Sequence, residues 1–513
     1  MKMPQKWDKE ADVIVIGFGG AGATAAITAH DLGAKVLIIE KMLIGGGNAS
    51  TSGGHFICPK NVDDFVKYFQ GLSTGHEVER EMVRVYAEYM VQNADWFRKL
   101  GGSSVEVVRC LVPGHYRESE FPNLPGSKGV PCYTLRVEGK RGRGVELFKI
   151  LEDNVKSRGI EVLYNTPAKQ LVTSPEREVV AVMSERQGRV IAIKARKAVI
   201  LACGGFENNK EMKANYLGYT WTLVQYAGTP GNTGDGIKMA TRIGADLWHM
   251  NNVTGPFLSF KSPGYANTMH GLPLSGWGYI CVNKYGKRFG REMHDAVAWA
   301  PSYIGEPRES MHGKGMEHIF YCDYMHPQRI EYPNIPCYVI FDETTRLKSG
   351  GGRKYLIFAT PISPPTYYLW SDELTVEIDK GWIVGAETVR KLATKTGLDP
   401  AALEETINSY NKYCEEGKDL DYFRPKETLI SLKNPPYYAM ELLPTILNTQ
   451  GGPKRNAKCQ VLNTDNNPIS RLYSAGEMGS IFGFLYNAGG NIAEAFATGR
   501  IAGENAVKEK PWQ

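Results

Sequence analysis

An α/β fold with a parallel sheet is predicted by three features that follow one another near the amino end of the chain. Residues 11–16 form a β-branched apolar run, typical of a parallel strand that is covered on both faces. A glycine-rich turn leads into a helix of small residues, and a second apolar strand then ends at Glu40. This order of strand, turn, helix and strand is the dinucleotide-binding unit of doubly wound folds.

The turn has the spacing GxGxxG, and each glycine has a physical function. Gly17 allows the tight turn, Gly19 lets the backbone approach a pyrophosphate, and Gly22 lets the helix pack closely on the strand. The amino end of the helix offers N–H groups and a positive dipole end to the phosphates. Glu40 stands where a carboxylate can accept both ribose hydroxyls of an adenosine. The unit therefore predicts dinucleotide binding.

A second glycine-rich segment, residues 45–54 (GGGNASTSGG), indicates which dinucleotide binds. A nicotinamide cofactor has no need of a flexible, hydroxyl-rich loop directly after the ribose-binding carboxylate. The ribityl chain and second phosphate of FAD do need hydroxyl and backbone donors, and glycines let the main chain lie against the isoalloxazine ring. The sequence therefore predicts FAD as the cofactor.

Segments far along the chain complete the predicted flavin site. Residues 197–206 are a buried strand that runs into a glycine turn. Near the carboxyl end, residues 472–477 (LYSAGE) precede residues 487–491 (NAGGN). We therefore expect both ends of the chain to build one flavin site.

Composition indicates an ordinary globular protein. The 513 residues include 60 Lys and Arg against 55 Asp and Glu, for a charge of +5, and 42% are hydrophobic, so disorder and nucleic-acid binding are not expected. Nine cysteines without a CxxC pair indicate free thiols in a reducing compartment and no metal site. The polar amino end lacks a signal peptide, and the uncharged stretch 13–29 is too short to span a membrane. We expect a cytoplasmic protein.

The chain resembles a known family through the motifs GFGGAG, GGGNASTSGG, AVILACGGF, GTPGNTGDGIKMA, LYSAGE and YNAGGNIAEAFATGRIAGE. These motifs are similar to those of flavoproteins in the fumarate reductase and 3-ketosteroid dehydrogenase superfamily. The resemblance implies a discontinuous, Rossmann-like FAD-binding domain (residues 1–276 and 437–513) with an inserted α+β capping domain (residues 277–436). It also implies noncovalent FAD, because no histidine occupies the position in the 45–54 segment that carries covalent flavin in succinate dehydrogenases.

The resemblance also implies which part of FAD each group of residues would bind. The GxGxxG turn and Glu40 would hold the ADP half, the serine and threonine segment would hold the pyrophosphate and ribityl chain, and the carboxyl-terminal motifs would contact the flavin end. The predicted set is Gly17, Gly19, Gly20, Ala21, Gly22, Glu40, Lys41, Gly47, Asn48, Ser50, Thr51, Ser52, Gly53, Gly54, Ala168, Cys203, Gly204, Gly205, Asn232, Asp235, Gly476, Glu477, Gly490, Asn491 and Ile492.

The substrate side departs from the pattern of the dicarboxylate reducers in this superfamily. Those enzymes resemble one another in clamping carboxylates with arginines, since bidentate guanidinium pairing suits a diacid. This sequence has Asn487 where they have an arginine, Asn448 where they have a histidine, and Ala296 where they have the arginine of the cap. A small dicarboxylate is therefore not expected as the substrate. The sequence also lacks the CxxCH motif of a haem-bearing version.

Tyr486, four residues before Gly490, stands in this region instead. In 3-ketosteroid dehydrogenases, which this segment resembles, a tyrosine and a glycine at this spacing hold the substrate ketone with the phenol O–H and a backbone N–H. Such donors stabilise an enolate as an oxyanion hole does, and each is worth ~3 kcal/mol. The alternative is that the Tyr486 ring only packs on the flavin.

The general base is left open among several residues. 3-Ketosteroid dehydrogenases resemble one another in a cap tyrosine that acts as the base. Ala296 stands at that position in this sequence. Residues of suitable chemistry nearby are His294, Asp295 and Tyr303. Residues 113–126 resemble a loop that places another tyrosine over the substrate, with Tyr116 as the candidate and Phe121 at the position otherwise expected.

These patterns predict an FAD-dependent oxidoreductase that exchanges a hydride at the carbon–carbon bond next to the ketone of a cyclic apolar substrate. The substrate is expected to be a 3-ketosteroid or a cyclohexanone-type compound, with a separate electron donor or acceptor as a second partner. One alternative is a reductase of an α,β-unsaturated carboxylic acid, which would need an anchor such as Arg288, Arg291 or Arg455. Another is a flavin-binding protein without turnover.

Overall fold

The structure is a computed structural model that describes residues 3–101, 105–109, 119, 121, 123–137, 140–141, 143–254, 257–260, 263–265, 272–290, 292, 329, 331–352, 354–358 and 365–512. Three predicted catalytic residues, Tyr116, His294 and Tyr303, lie outside the described residues. The further base candidate Asp295 and the alternative anchor Arg291 also lie outside them.

Strands and α-helices follow one another along the described parts of the chain. The strands are β1 (Lys9–Ile16), β2 (Val36–Ile39), β3 (Phe56–Ile57), β4 (Val105–Arg109), β5 (Cys132–Val137), β6 (Lys140–Arg141), β7 (Glu161–Leu163), β8 (Ala168–Thr173), β9 (Val179–Arg186), β10 (Arg189–Leu201), β11 (Gln225–Tyr226), β12 (Leu247–Trp248), β13 (Val253–Thr254), β14 (Phe257–Phe260), β15 (Tyr279–Val282), β16 (Cys337–Asp342), β17 (Lys354–Phe358), β18 (Pro365–Leu369), β19 (Val384–Ala386), β20 (Tyr437–Ile446), β21 (Asn448–Thr449), β22 (Gly452–Pro453), β23 (Gln460–Leu462) and β24 (Pro468–Ser474). The helices are α1 (Gly20–Asp31), α2 (Gly47–Thr51), α3 (Val62–Leu72), α4 (Arg80–Met90), α5 (Asn93–Gly101), α6 (Gly144–Ser157), α7 (Lys210–Met212), α8 (Asp235–Thr241), α9 (Glu343–Arg346), α10 (Thr375–Asp379), α11 (Val389–Thr396), α12 (Pro400–Glu416) and α13 (Gly490–Lys508).

The first sheet contains the predicted dinucleotide-binding unit. Its strands follow the order β23-β24-β10-β1-β2-β7, and β9, which also pairs with β8, lies against β10. β1 runs parallel to β10 and to β2, and residues 13–16 of β1 lie opposite residues 198–201 and 36–39. These apolar residues are buried, as strands covered on both faces require. The α/β fold with a parallel sheet is thus confirmed.

Helix α1 begins at Gly20, inside the GxGxxG segment that the sequence predicts as a turn. The glycine turn therefore includes part of the helix. A carbon added at Gly22 would lie 2.0 Å from Gly17 O. The first turn of α1 can therefore lie this close to the Gly17 carbonyl only because residue 22 has no side chain.

Helices α1 and α13 pack closely and join the two ends of the chain. A carbon added at Gly499 would lie 2.7 Å from Thr24 Cβ, and one added at Gly503 would lie 2.8 Å from Ala25 O. The missing side chains on α13 therefore let the two helix backbones approach one another. This contact makes the carboxyl-terminal helix part of the dinucleotide-binding unit.

A second sheet of six strands is arranged around β20. Its order is β11-β20-β16-β15, and β14 and β19 also pair with β20. These strands come from both sides of the predicted limits at residues 277 and 436, because β11 and β14 precede the first limit and β20 follows the second. The division into residues 1–276, 277–436 and 437–513 stays a prediction.

None of the helices within the described ranges is both long enough and apolar enough to cross a membrane. In the same part of the chain, no group of three His, Cys, Asp or Glu side chains could hold a metal ion.

Replacing Gly499 by Ala tests the contact between α1 and α13. Ala is favoured over Gly inside a helix by about 1 kcal/mol. The added carbon, however, would lie 2.7 Å from Thr24 Cβ and 2.9 Å from Ala21 O. We therefore expect Gly499→Ala to lower the free energy of unfolding by about 1–3 kcal/mol, measured by urea denaturation.

Gly71→Ala in α3 is the matched control. The atoms nearest to its added carbon belong to the Leu124 side chain, at 2.9 Å and beyond, and that side chain can move. The loss of unfolding free energy should be smaller there. A Gly499→Ala variant as stable as the control would contradict the close approach of the two helices.

Candidate cofactor and substrate site

Four parallel strands deliver the predicted cofactor segments to one edge of the first sheet. The residues that directly follow β1, β2, β10 and β24 are Gly17, Glu40, Ala202 and Ala475. The backbone ladder continues past the strand ends, because Ala202 N donates to Ile16 O at 2.8 Å and Ala475 N donates to Leu201 O at 2.9 Å. Open α/β sheets bind their ligands at the carboxyl ends of such strands.

The turn after β1 has the form of a phosphate cradle. Gly17 has a φ of +102°, and a carbon added to it would lie 2.3 Å from Ala202 O. A carbon added at Gly19 would make only ordinary contact, at 3.7 Å from Gly46 O, so this side of the turn is less closely packed than Gly17. Helix α1 begins without a capping side chain, which leaves its first N–H groups to donate to phosphate oxygens.

Glu40 is buried and held by the backbone. Its Oε2 accepts from Phe18 N at 2.7 Å and its Oε1 accepts from Met42 N at 2.8 Å. Burial raises the pKa of this carboxyl, and the two backbone bonds act in the opposite direction. Each oxygen has a further lone pair for a ribose hydroxyl. Thr166 N donates to Glu40 O at 2.9 Å, which keeps the start of β8 at Ala168 close to this site.

The segment predicted as a flexible loop contains a short helix, α2, so that prediction is wrong for residues 47–51. The hydroxyls of Ser50, Thr51 and Ser52 each donate to the carbonyl three residues earlier, at 2.9, 3.2 and 2.8 Å. These local bonds stabilise a helical turn that composition alone does not reveal. The hydroxyl oxygens keep lone pairs, and their cofactor roles stay predictions.

Glycines bring α2 close to its neighbours. A carbon added at Gly20 would lie 3.1 Å from Ala49 Cβ, and one added at Gly47 would lie 3.5 Å from Gly19 Cα. Gly54 has a φ of +71°, and its added carbon would lie 2.6 Å from Arg143 C. Gly53 lies next to it and faces the ring of His55. The segment is therefore packed between α1 and the start of α6.

Two glutamates and two asparagines meet where the cofactor segments converge. Asn48 Nδ2 donates to Glu207 Oε1 at 2.9 Å and to Glu477 Oε1 at 3.0 Å. Asn232 Nδ2 donates to the same two oxygens, at 2.7 and 3.0 Å. We call these four residues the carboxyl junction. It unites three predicted residues with Glu207, which the sequence-based prediction omitted although it follows the Gly204–Gly205 turn almost directly.

The glycine turn after β10 makes room for the carboxyl junction. Gly204 has a φ of +68°, and a carbon added to it would lie 2.5 Å from Asn232 Oδ1. A carbon added at Gly205 would lie 2.2 Å from Thr449 Oγ1 and 2.6 Å from Glu207 Oε2. Side chains at either glycine would displace the polar groups that hold the junction.

Two further predicted cofactor residues, Lys41 and Asp235, bind each other. Lys41 Nζ donates to Asp235 Oδ2 at 2.7 Å and to Thr233 Oγ1 at 2.7 Å, which ties the end of β2 to the start of α8. Cys203 Sγ donates to Ile16 O at 3.4 Å. Burial raises the pKa of this thiol to about 12, so it stays protonated at neutral pH.

At the flavin end, the structure brings Tyr486 and Gly490 together. A carbon added at Gly490 would lie 3.0 Å from Tyr486 Cε2. However, Gly490 N donates to Asn487 O at 2.8 Å, and it is Asn491 N that donates to the Tyr486 hydroxyl, at 3.2 Å. The role of Gly490 N–H as a substrate donor stays a prediction, and it would require the bond to Asn487 to open.

The residues at this end fit a bound flavin. Gly476 has a φ of +82°, and a carbon added to it would lie 2.8 Å from Ala21 Cβ, so the LYSAGE turn lies directly against α1. Helix α13 begins without a capping side chain, and Ile492 is buried in its first turn. Asn491 Oδ1 is buried and has no hydrogen-bond partner within the described ranges, which marks a place for a donor from a bound molecule.

A half-buried histidine, His249, lies beside the segment that leads to Tyr486, and no sequence motif indicated it. His249 Nδ1 is 2.7 Å from Ser480 O, and the ring lies 6.3 Å from that of His76. The carbonyl oxygen can only accept, so Nδ1 carries the proton. Burial lowers the pKa of His249 to about 4, and the ring is neutral at neutral pH.

Comparison with known proteins agrees with this geometry. The model of the FAD binding domain family matches residues 12–492, and the chain belongs to this family. It is 28% identical to the fumarate reductase (cytochrome) of Shewanella frigidimarina, over 97% of this chain and 77% of that protein. It is 29% identical to the urocanate reductase of Eggerthella lenta, over 98% and 76%. It is 27% identical to the 3-oxosteroid 1-dehydrogenase of Mycobacterium tuberculosis, over 96% and 98%.

Solved structures show the same fold. A 3-ketosteroid delta1-dehydrogenase from Sterolibacterium denitrificans has a TM-score of 0.76 at 23% identity and covers 97% of this chain and 99% of its own. A flavocytochrome c3 fumarate reductase has a TM-score of 0.72 at 25% identity and covers 98% and 79%. The chain is an FAD-dependent oxidoreductase of the fumarate reductase and ketosteroid dehydrogenase family, so the predicted family, cofactor and enzyme class are confirmed.

Glu40→Gln tests the predicted ribose carboxylate. The amide nitrogen of Gln cannot accept the hydrogen bond that one Glu40 oxygen receives from Phe18 N or Met42 N. We expect FAD to bind ~10–100-fold more weakly to the apoprotein, as measured by flavin fluorescence titration. Glu185→Gln on the exposed surface is the control. Unchanged affinity in Glu40→Gln would contradict a cofactor role.

His249→Asn tests the half-buried imidazole through the pH dependence of stability. The folded-state pKa of about 4 lies below the ordinary value of 6.5, so the unfolded chain binds the proton more tightly. The stability is fully present above pH 6.5 and is lost as pH falls towards 4. Wild type should lose about 2 kcal/mol of unfolding free energy between pH 7 and pH 5 through this group.

Asparagine suits the replacement because His249 has a φ of +53°. Urea denaturation at both pH values should show a shallower pH dependence in His249→Asn. An identical pH dependence in the variant and the wild type would contradict the assignment.

Proposed function

We propose that this oxidoreductase introduces or removes the carbon–carbon double bond next to the ketone of a cyclic, largely apolar substrate of the 3-ketosteroid or cyclohexanone type. The observation that carries the proposal is the state of the arginines that an acid reductase would need as anchors. Two of the three candidate anchors, Arg288 and Arg455, lie within the described ranges. Both are bound to carboxylates of the chain itself.

Arg455 is buried in an internal ion pair. Its guanidinium binds the Glu494 carboxylate, and neither side chain is exposed. Its Nη1 also donates to Ser474 O at 3.2 Å, and its Nη2 donates to Gly476 O at 3.0 Å. The arginine therefore holds the LYSAGE turn against α13, and Glu494 offsets its charge.

Arg288, which follows β15 of the second sheet, is bound in the same way. Its Nε and Nη2 donate to the two oxygens of Glu292 at 2.8 and 2.7 Å, and Nη2 also binds Asp419 Oδ2 at 2.8 Å. The side chain is 4% exposed. Two carboxylates already pair with this guanidinium, and Arg424 Nη1 lies 3.5 Å from Glu292 Oε2, so the charges of the cluster are balanced within the chain. This arrangement supports an uncharged substrate.

The groups around Tyr486 suit a carbonyl oxygen. The hydroxyl accepts from Asn491 N, and a phenol that accepts a hydrogen bond becomes a stronger donor in turn. Tyr486 is buried, and the ring of Phe482 packs edge-on against it at 5.2 Å. The low dielectric of such a site strengthens a donor that faces the developing charge of an enolate. FAD, when bound, supplies the acceptor or donor of the hydride.

The position of Asn487 also supports a neutral substrate. Its side chain is buried, and its Oδ1 accepts from the Tyr68 hydroxyl at 2.7 Å. An uncharged amide thus stands beside Tyr486 where a guanidinium would attract a carboxylate. The likeness to a 3-oxosteroid 1-dehydrogenase over 98% of that protein's length supports the same proposal.

A reductase of an α,β-unsaturated acid is the second candidate function. The identity of 28–29% to a fumarate reductase and a urocanate reductase favours it. The burial of Arg288 and Arg455 in ion pairs weighs against it.

Anaerobic flavin spectroscopy of the purified holoenzyme distinguishes the two candidates. We expect cyclic ketones, including 3-ketosteroids, to bleach the oxidised flavin, or the matching enones to reoxidise the reduced flavin. Fumarate and urocanate should leave both forms unchanged. Reoxidation by the acids alone would overturn the proposal in favour of the acid reductase.

Tyr486→Phe tests the carbonyl donor. Removal of one oxyanion donor costs ~3 kcal/mol, so we expect a roughly 100-fold lower kcat with ketone substrates and unchanged FAD content. Tyr413→Phe is the matched control, because the Tyr413 hydroxyl donates to Asp421 at the exposed side of α12. Full activity in Tyr486→Phe would refute the donor role.

A further inference from the structure

The carboxyl junction contains two acids that share the same two donors. Each of Asn48 and Asn232 uses both hydrogens of its amide group, one for Glu207 Oε1 and one for Glu477 Oε1. The two carboxyl oxygens are therefore held a few ångströms apart. Within the described ranges, neither glutamate takes part in an ion pair with Lys, Arg or His.

In the part of the chain that the structure describes, polar groups surround Glu207 and no cation forms an ion pair with it. Glu207 is fully buried, and Thr449 Oγ1 is 3.3 Å from its Oε2. Because the Thr449 hydroxyl accepts from Phe206 N, its proton is directed to Glu207. Lys213 is near enough to interact electrostatically with Glu207, but its Nζ donates to Val224 O at 3.0 Å. Burial lowers the pKa of Lys213 to about 8.

The second acid, Glu477, has fewer compensating groups. The charge of Glu207 acts on it, and the backbone N–H of Gly205 is a further donor to it. Tyr226 is the other titratable group close to Glu207, and burial raises its pKa to about 12, so it stays neutral. Two carboxylates held this close by the same donors, one of them fully buried, cannot both ionise without a large electrostatic cost.

We propose that Glu207 and Glu477 share a single proton at neutral pH, and that this makes Glu207 a positioning residue for the cofactor. The shared proton lets both acids accept from the same asparagines. It thereby holds together α2, the turn after β10, the segment before α8 and the turn after β24. This inference concerns FAD retention and goes beyond the proposed reaction.

The pair of acids determines the direction in which stability changes with pH. Burial raises the pKa of both acids, and the charge of Glu207 raises that of Glu477 further. Stability from the shared proton is therefore fully present below the ordinary carboxyl value of 4.5 and is lost as pH rises through the pKa of the folded pair. Loss of the proton leaves two charges on the same two amides, and the cofactor segments separate.

Infrared spectroscopy of the holoprotein tests for the proton directly. We expect wild type at pH ~7.5 to show the carbonyl stretch of a protonated carboxylic acid. Glu207→Gln and Glu477→Gln should each lose this band, because the remaining acid then ionises against two amide donors. Glu185→Gln on the surface should keep it. Absence of the band in wild type, or its persistence in both single variants, would overturn the proposal.

The affinity for FAD at different pH values provides the second readout. In wild type, the apparent Kd should rise with pH, by up to ~10-fold per pH unit above the pKa of the pair. In Glu207→Gln the slope should be absent, since the amide oxygen still accepts from Asn48 and Asn232 but carries no charge. Equal slopes would overturn the proposal. Neither measurement uses a substrate, so a negative ketone assay would leave this result unchanged.

Discussion

The site depends on the close contact between α1 and α13. The phosphate turn and α1 come from the first residues of the chain, whereas the LYSAGE turn and α13 come from the last. Gly499 and Gly503 allow α13 to lie on α1, and Gly476 allows the LYSAGE turn to lie against Ala21. The buried pair of Arg455 and Glu494 then fixes that turn to α13. Without this contact, the two halves of the flavin site would not face each other.

Local patterns explain which parts of the fold could be predicted from sequence. β1, α1 and β2 lie close together in the chain. The apolar run, the glycine spacing and the final carboxylate were therefore sufficient to predict this unit. The central place of β20 in the second sheet could not be predicted, because it pairs with strands that lie far away in the chain. Helix α2 was missed because its stability comes from hydroxyl bonds to its own carbonyls.

In the candidate site, too, residues in local motifs could be predicted from sequence, whereas residues that depend on distant contacts could not. Asn48, Asn232 and Glu477 belong to recognisable motifs, but Glu207 acquires its importance only when four distant segments meet. The sequence also left Arg288 and Arg455 open as substrate anchors. Their carboxylate partners lie as far away as Asp419 and Glu494, so only the folded chain shows that these charges are already balanced.

The separation of α1 and α13 along the chain has a consequence for biosynthesis. Chains are made at about 5–20 residues per second, so α13 leaves the ribosome on the order of half a minute or more after α1. During that interval the small-residue face of α1 has no partner, and the flavin site lacks its second half. The flavin site can therefore be completed only after α13 has been made, and the nascent amino-terminal unit must avoid aggregation until then.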